Sequence, residues 1–363
     1  MIAARIHRFG GPDVIEIDDL PGPTPLAGEL VVRAAAAGVG PWDALIRDGK
    51  TTVAPPLILG AEFAGVVDAV GSGVSDLDVG DEVFGATNKE FCGAHAEYPV
   101  ASAGCVARKP NTLSFVESAS APVVAVTAWQ MLFDYAHAEA GQAVLVHGGA
   151  GNVGACAVQR ATHAHLRVFA TAATGDVEYV RSLGATNVVD KESTRFEDEV
   201  PPINIVIDTV GRDTRDRSYG VLKPNGILVS VVTPFPQRPI RLDVRMAFFI
   251  VEVSTARLNI VAELFDRGAL VPRVGSVLPL RQARAAHEML GGAPHKRGKI
   301  VLSMTAAPSS SRWDGDRAAS RRPARTTDTR ARAARRPRPQ GGRKLPVGAS
   351  DGRIVHPVAI SVS

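Results

Sequence analysis

The stretch VLVHGGAGNVGACAVQRA constrains this chain more than any other. An apolar strand runs straight into Gly149-x-Gly151-x-x-Gly154, and an apolar-periodic helix follows at once. That setting separates it from a bare glycine pattern, because a dinucleotide site needs the strand before the turn and the helix after it. Gly149 permits the tight turn, Gly151 lets backbone approach a pyrophosphate, and Gly154 allows helix and strand to pack closely. Asn152 and Val153 then open a helix whose N-terminus faces the phosphates.

The flanking pattern repeats the same theme. Ala143 to Val146, Leu166 to Thr171, Thr186 to Val189, Ile203 to Asp208 and Gly226 to Val232 read as strands, with helices from Val153 and over Val177 to Leu183 between them. Runs such as INIVID and GILVSVV are apolar without alternation, as in strands covered on both faces of a parallel sheet. The reading is an α/β, doubly wound domain, opened by a helix over Ser118 to Tyr135 with Val123, Val126, Met131 and Leu132 available to a core. Before it, short strands at Ala3 to Arg8, Val14 to Ile17, Glu29 to Ala35, Phe63 to Val70 and Asp81 to Phe84, punctuated by Gly and Pro, predict a partly closed antiparallel barrel. After about residue 256, helices near Leu258 to Asp266 and Leu280 to Leu290 and a strand at Gly298 to Ser303 return the chain to that first domain. The expected division is 1–118 with 256–305, 119–255, and a tail at 306–363.

The chain's 363 residues allow two such domains and a remainder. Its net charge of +4 misleads: the tail holds 12 arginines and one lysine against four aspartates, or +9, which leaves −5 for residues 1 to 305. From Ser309 to Lys344 the tail has almost no large aliphatic residue, so it reads as a basic disordered extension. The body is mildly acidic, so the sequence pI near 9.1 says nothing about the partners of the folded part. Nucleic acid is not the expected partner, because a basic arm attracts it only unspecifically. No run of roughly 18 apolar residues suggests a membrane span, and the start lacks the apolar core of a secretory signal. Cys92, Cys105 and Cys156 form no CxxC pair. A cytoplasmic protein without a disulfide framework is expected.

Cofactor choice is written at the end of the second nucleotide-domain strand, RVFATAAT. An NAD site places an acid there, about 20 residues past the glycines, to accept from the ribose 2′-hydroxyl. Ala172 stands at that point beside Thr171, so NADPH is favoured. Asp176 competes for the role of that acid but reads better as an N-cap of a helix closed by Gly184. Thr174 and Tyr179 are candidate donors to the 2′-phosphate, with a solvated helix face as the alternative for Tyr179.

With GVGPWDALIRDG, LGAEFAGVV, VGDEVFG, VVAVTAWQML, RSLGA, IDTVG and RGKIVL in this order, residues 1 to 305 resemble the medium-chain dehydrogenase/reductase superfamily. The likeness is specifically to its zinc-free NADPH:quinone oxidoreductase branch. The resemblance implies a GroES-like β-barrel catalytic domain joined to a Rossmann domain, and hydride transfer from NADPH to a quinone or an α,β-unsaturated carbonyl. Zinc-dependent relatives carry a cysteine and a histidine where Gly40 and Ala61 stand, so no metal is expected. By resemblance, Trp42 and Asp43 lie beside the substrate cleft and Thr127 near the nicotinamide. Trp42 also reads as a core filler, Asp43 as a helix cap, and Thr127 as a hydroxyl bonded to its own backbone. The family often has Asn at the place of Gly40, and losing that donor keeps open a non-catalytic NADPH-binding sensor. Val210, Gly211, Ser230, Phe249, Ile250 and Val251 are placed along the ribose and nicotinamide, or else are strand-end packing. Relatives form homodimers through edge strands, which makes the apolar run from Ala247 the candidate edge.

Overall fold

The computed structural model describes residues 1–235 and 241–304. The basic tail expected from residue 306 lies outside them. Strands β1 (Ile2–Ile6), β2 (Ile15–Asp19), β3 (Glu29–Val39), β4 (Leu57–Ile58), β5 (Glu62–Val70), β6 (Glu82–Ala86), β7 (Val100–Ser102) and β8 (Val106–Arg108) come first, with helix α1 (Pro41–Arg47) after β3. Helices α2 (Phe115–Ala119) and α3 (Pro122–Trp129) lead into β9 (Ala143–His147), α4 (Asn152–His163), β10 (Arg167–Ala172), α5 (Val177–Ser182), β11 (Asn187–Asp190) and α6 (Phe196–Glu199). Then follow β12 (Ile203–Asp208), α7 (Arg212–Arg217), β13 (Leu222–Ser230), β14 (Arg245–Phe248), α8 (Thr255–Asp266), β15 (Val274–Pro279), α9 (Ala283–Leu290) and β16 (Lys299–Ser303).

Strands β9 to β14 form one parallel sheet in the order β11-β10-β9-β12-β13-β14, the doubly wound arrangement expected from the sequence. The order reverses between β9 and β12, and ligands bind at such a switch point, outside the C-terminal strand ends. The first domain is a mixed sheet in the order β15-β16-β3-β5-β6-β8, with β7 also on β3, beside a small sheet β2-β1-β4. β16 completes it by pairing antiparallel to β3. This is the GroES-like plus Rossmann architecture.

The helix predicted over Ser118 to Tyr135 is three pieces. Pro122 has no N–H and its ring crowds the carbonyl one turn back, so α2 stops and α3 starts anew. Beyond Trp129 the backbone widens into a π-turn over Gln130–Tyr135. Val126, Met131 and Leu132 are fully buried and share one core with Phe84 of the first sheet and Val144 and Ile207 of the second. This segment is therefore the apolar seam between the two sheets. One edge of the parallel sheet is β14, which keeps only Ala247 and Phe248 of the apolar run proposed for it; Phe249 turns inward instead and stacks on Tyr135 with ring centroids 4.2 Å apart.

Candidate functional site

The nucleotide turn is built as a close approach of backbone to backbone. Gly148 takes φ +72, so the left-handed residue of the turn is the one before Gly149. A Cβ on Gly154 would lie 2.1 Å from the Gly148 carbonyl oxygen, which only glycine avoids. A Cβ on Gly149 would press on Val180 and Ala170 at 3.0 and 3.1 Å, whereas Gly151 meets only the Gly148 carbonyl oxygen at 3.3 Å. Gly151 caps α4 without a side chain, leaving the first-turn amides of Asn152, Val153 and Gly154 for an outside acceptor. Those free donors, with the helix dipole behind them, fit a pyrophosphate.

A cleft of about 350 Å³ opens beside this turn at the strand ends. It brings together Gly151, Thr171, Ala172 and Val210 with Asp176, Lys191 and Arg217. Thr171 points back, its hydroxyl meeting His147 Nδ1 at 3.2 Å and the Gly148 N–H at 3.3 Å. Arg217 is occupied by Glu197 and Asp213. Lys191 makes no salt bridge among the described residues, and it follows directly on β11. Its backbone N–H bonds to Ala172 O at 2.9 Å, so its ammonium belongs to the point where the second strand ends.

At this end of the cleft two expectations need correction, and the N-cap reading of Asp176 holds for its position but not for its side chain. Thr174 offers its hydroxyl to Asp190 at 2.8 Å and Glu192 at 2.7 Å, so a phosphate there would meet carboxylates. Tyr179 turns away, its ring held between the guanidinium groups of Arg273 and Arg297. Burial pushes its phenol up. Asp176 does sit at the N-cap of α5, but its side chain makes no capping bond and pairs with Arg297. The sequence hid the outcome because Arg273 and Arg297 come from the far end of the chain. Lys191 was legible as a cation beside a strand end, in VVDKES.

The IDTVG turn is organised by Asp208, which the sequence reading passed over. Its buried carboxylate accepts from the N–H groups of Val210 (3.0 Å) and Gly211 (2.7 Å) and from the Ser230 hydroxyl (2.7 Å). Ser230 is thereby a brace, and Gly211 with φ +77 makes the turn. Val210 and Ile250 stay exposed, Phe249 is buried, and Val251 packs on the core.

On the other side, Gly40 caps α1. Asp43 Oδ2 accepts the Gly40 N–H at 2.7 Å, so the cap role is real. Its Oδ1 is buried without a partner, and burial pushes this carboxyl up. Trp42 meets Phe91 edge-on at 6.1 Å, with its indole N–H unpartnered. Thr127 donates to Val123 O at 2.7 Å, back-bonding within α3. Two further residues converge here: Lys299 and Glu62 form a buried ion pair of 2.5 Å, and a Cβ on Gly40 would lie 3.0 Å from the Lys299 Nζ. Both stand in quoted motifs, LGAEFAG and RGKIVL, and only their contact was invisible.

A zinc ion does not fit. Gly40 and Ala61 bring no ligand atom, and the Glu62 carboxylate is already matched by an ammonium. Among the described residues the trio with ligand atoms near enough for a metal is His7, Glu16 and Asp18, on the surface of the first domain.

Residues 26–111 match the alcohol dehydrogenase GroES-like domain, and residues 183–302 match a family described as zinc-binding dehydrogenase. A quinone oxidoreductase from Pongo abelii is 30% identical over 325 residues, covering 83% of this chain and 97% of that protein. A 2-methylene-furan-3-one reductase from Solanum lycopersicum is 36% identical over 242 residues, or 62% of this chain and 61% of its own length. A mycobacterial protein solved with NADPH superposes with a TM-score of 0.75 at 30% identity, over 84% of this chain and 99% of that one. Likeness of this extent to a nearly full-length relative goes beyond a shared fold: the chain belongs to the medium-chain dehydrogenase/reductase superfamily, with quinone oxidoreductases among its relatives.

Proposed function

We propose that the protein transfers hydride from NADPH to a quinone or an α,β-unsaturated carbonyl without a metal. The observation that carries this is the strand end at Ala172: it lacks the acid that selects a free ribose diol, and Lys191, which makes no salt bridge among the described residues, lines the cleft beside it. NADPH, when bound, supplies the hydride. The amides of Asn152, Val153 and Gly154 hold the pyrophosphate, Lys191 faces the 2′-phosphate, and the Asp208-braced turn at Val210 and Gly211 lies along the ribose.

Trp42, Asp43 and Thr127 are assigned to the substrate and nicotinamide side. An electron-poor acceptor needs little polarisation, and solvent can deliver the proton. Asp43, whose burial favours its protonated form, is suited to hold one near Gly40. The tomato relative supports an enone acceptor and the primate relative a quinone. We divide the chain into a substrate domain, 1–118 with 256–305, and a nucleotide domain, 119–255. A homodimer through the β14 edge is proposed with it. No helix among the described residues is long and apolar enough to cross a membrane.

The test is steady-state oxidation of NADPH with a panel of quinones and enones. Turnover with at least one class is expected. Tight NADPH binding with no turnover on any of them would favour the sensor.

A further inference from the structure

The turn between β10 and α5 carries a carboxylate into the nucleotide cleft, and a residue from the far end of the chain neutralises it. Asp176 lines the cleft with Ala172 and Lys191. Its side chain is free of capping duty and forms an ion pair with Arg297, on the loop before β16. Arg297 also donates from Nη2 to Gly175 O at 2.9 Å, and its guanidinium lies over the Tyr179 ring, 4.9 Å from the centroid. Arg273 holds the same ring at 4.5 Å. The arginine is thus fixed by three contacts on one short segment, and both charges of the pair are about two-thirds buried.

We propose that Arg297 is a cofactor-specificity residue that acts through Asp176: by pairing with this carboxylate it admits a 2′-phosphate to a turn that would otherwise select a free ribose diol. The inference rests on NADPH as the cofactor. A free carboxylate at this end of the sheet accepts from the ribose 2′-hydroxyl and repels a phosphate. The strand position itself is alanine, yet the acid returns at Asp176. Arg217 offers no compensation because Glu197 and Asp213 occupy it. With Arg297 in place Asp176 is matched, and Lys191, which makes no salt bridge among the described residues and whose charge Glu192 partly offsets, is left as the cation lining the cleft. Without it, Asp176 cancels Lys191.

The experiment is calorimetric titration of the full-length protein with NADPH and with NADH, in the unmutated chain and in Arg297→Met, Asp176→Asn and the double variant. Arg297→Met should weaken NADPH about tenfold or more, the size of one charge-assisted contact, while NADH holds or tightens. Adding Asp176→Asn should bring NADPH back to within about threefold of the unmutated protein. A double variant as weak as Arg297→Met would mean that the arginine grips the phosphate itself, and a single variant that weakens both nucleotides equally would mean packing alone; either overturns the proposal. Should Arg297→Met fail to fold, Asp176→Asn alone decides, because it frees the arginine: NADPH affinity at or above the unmutated level supports the role, and a fall overturns it. An unmutated protein that binds NADH as tightly as NADPH would remove the cofactor reading itself, and this proposal with it.

Discussion

Lys299 and Glu62 meet at 2.5 Å with side chains only 6% and 2% exposed, at the point where β16 crosses the first domain. The second carboxylate oxygen of Glu62 accepts the Val123 N–H at 2.8 Å, so one ion pair ties β16 and β5 to the start of α3. A charge this deeply buried is tolerated because its partner and a hydrogen bond are both present.

Removing one member should therefore cost more than removing both. Lys299→Met is expected to destabilise the protein by about 3–5 kcal/mol, and Lys299→Met with Glu62→Gln by clearly less. Denaturant unfolding of the three proteins checks this; equal losses in the single and double variants would show that the pair is not a unit.

Stability should fall on acidification from about pH 7 to pH 5. Burial lowers the folded-state values of His95, His147 and His287, the last two to about 4 and about 2. Each then stays neutral in the fold while the unfolded chain takes up a proton below its usual value of about 6.5. The unfolded state binds more protons in that window, so each buried histidine removes up to about 1.4 kcal/mol per pH unit. Asp43, raised by burial, works the other way at lower pH. Unfolding free energies measured across the range should show this slope, and His287→Gln should flatten it; an unchanged slope would place the protons elsewhere.

Cofactor preference should answer to charge beside Ala172. Ala172→Asp adds repulsion towards a 2′-phosphate and an acceptor for the diol, and should erase or reverse a preference for NADPH. Lys191→Met should weaken NADPH by about 1.5–3 kcal/mol with little effect on NADH, the size of a hydrogen bond to a charged group. The ratio of kcat/KM for the two cofactors is the measurement, and a ratio that moves in neither variant would locate recognition elsewhere.

Exhaustive chelation should leave turnover unchanged, because Gly40 and Ala61 supply no ligand and Glu62 is matched by Lys299. Metal analysis giving about one zinc per chain, with activity lost on its removal, would contradict the donor set described above.

The nucleotide turn, the parallel sheet and the missing metal ligands were legible in the sequence because each is local: strand, glycines and helix follow one another, and a ligand atom is present or absent at its own position. The order of motifs likewise carried the family. The pre-proline break at Pro122 was legible in principle and missed, since periodicity outweighed it. What only the tertiary structure decided are pairings between distant residues: Arg297 on Gly175 at a separation of 122 residues, and Arg47 on His287 at 240. Thr174 and Tyr179 looked like phosphate donors because residue type was all that could be read, and the fold gave one to carboxylates and the other to two arginines. Side-chain direction and the identity of a partner across the core are set by packing, which the linear order of residues does not contain.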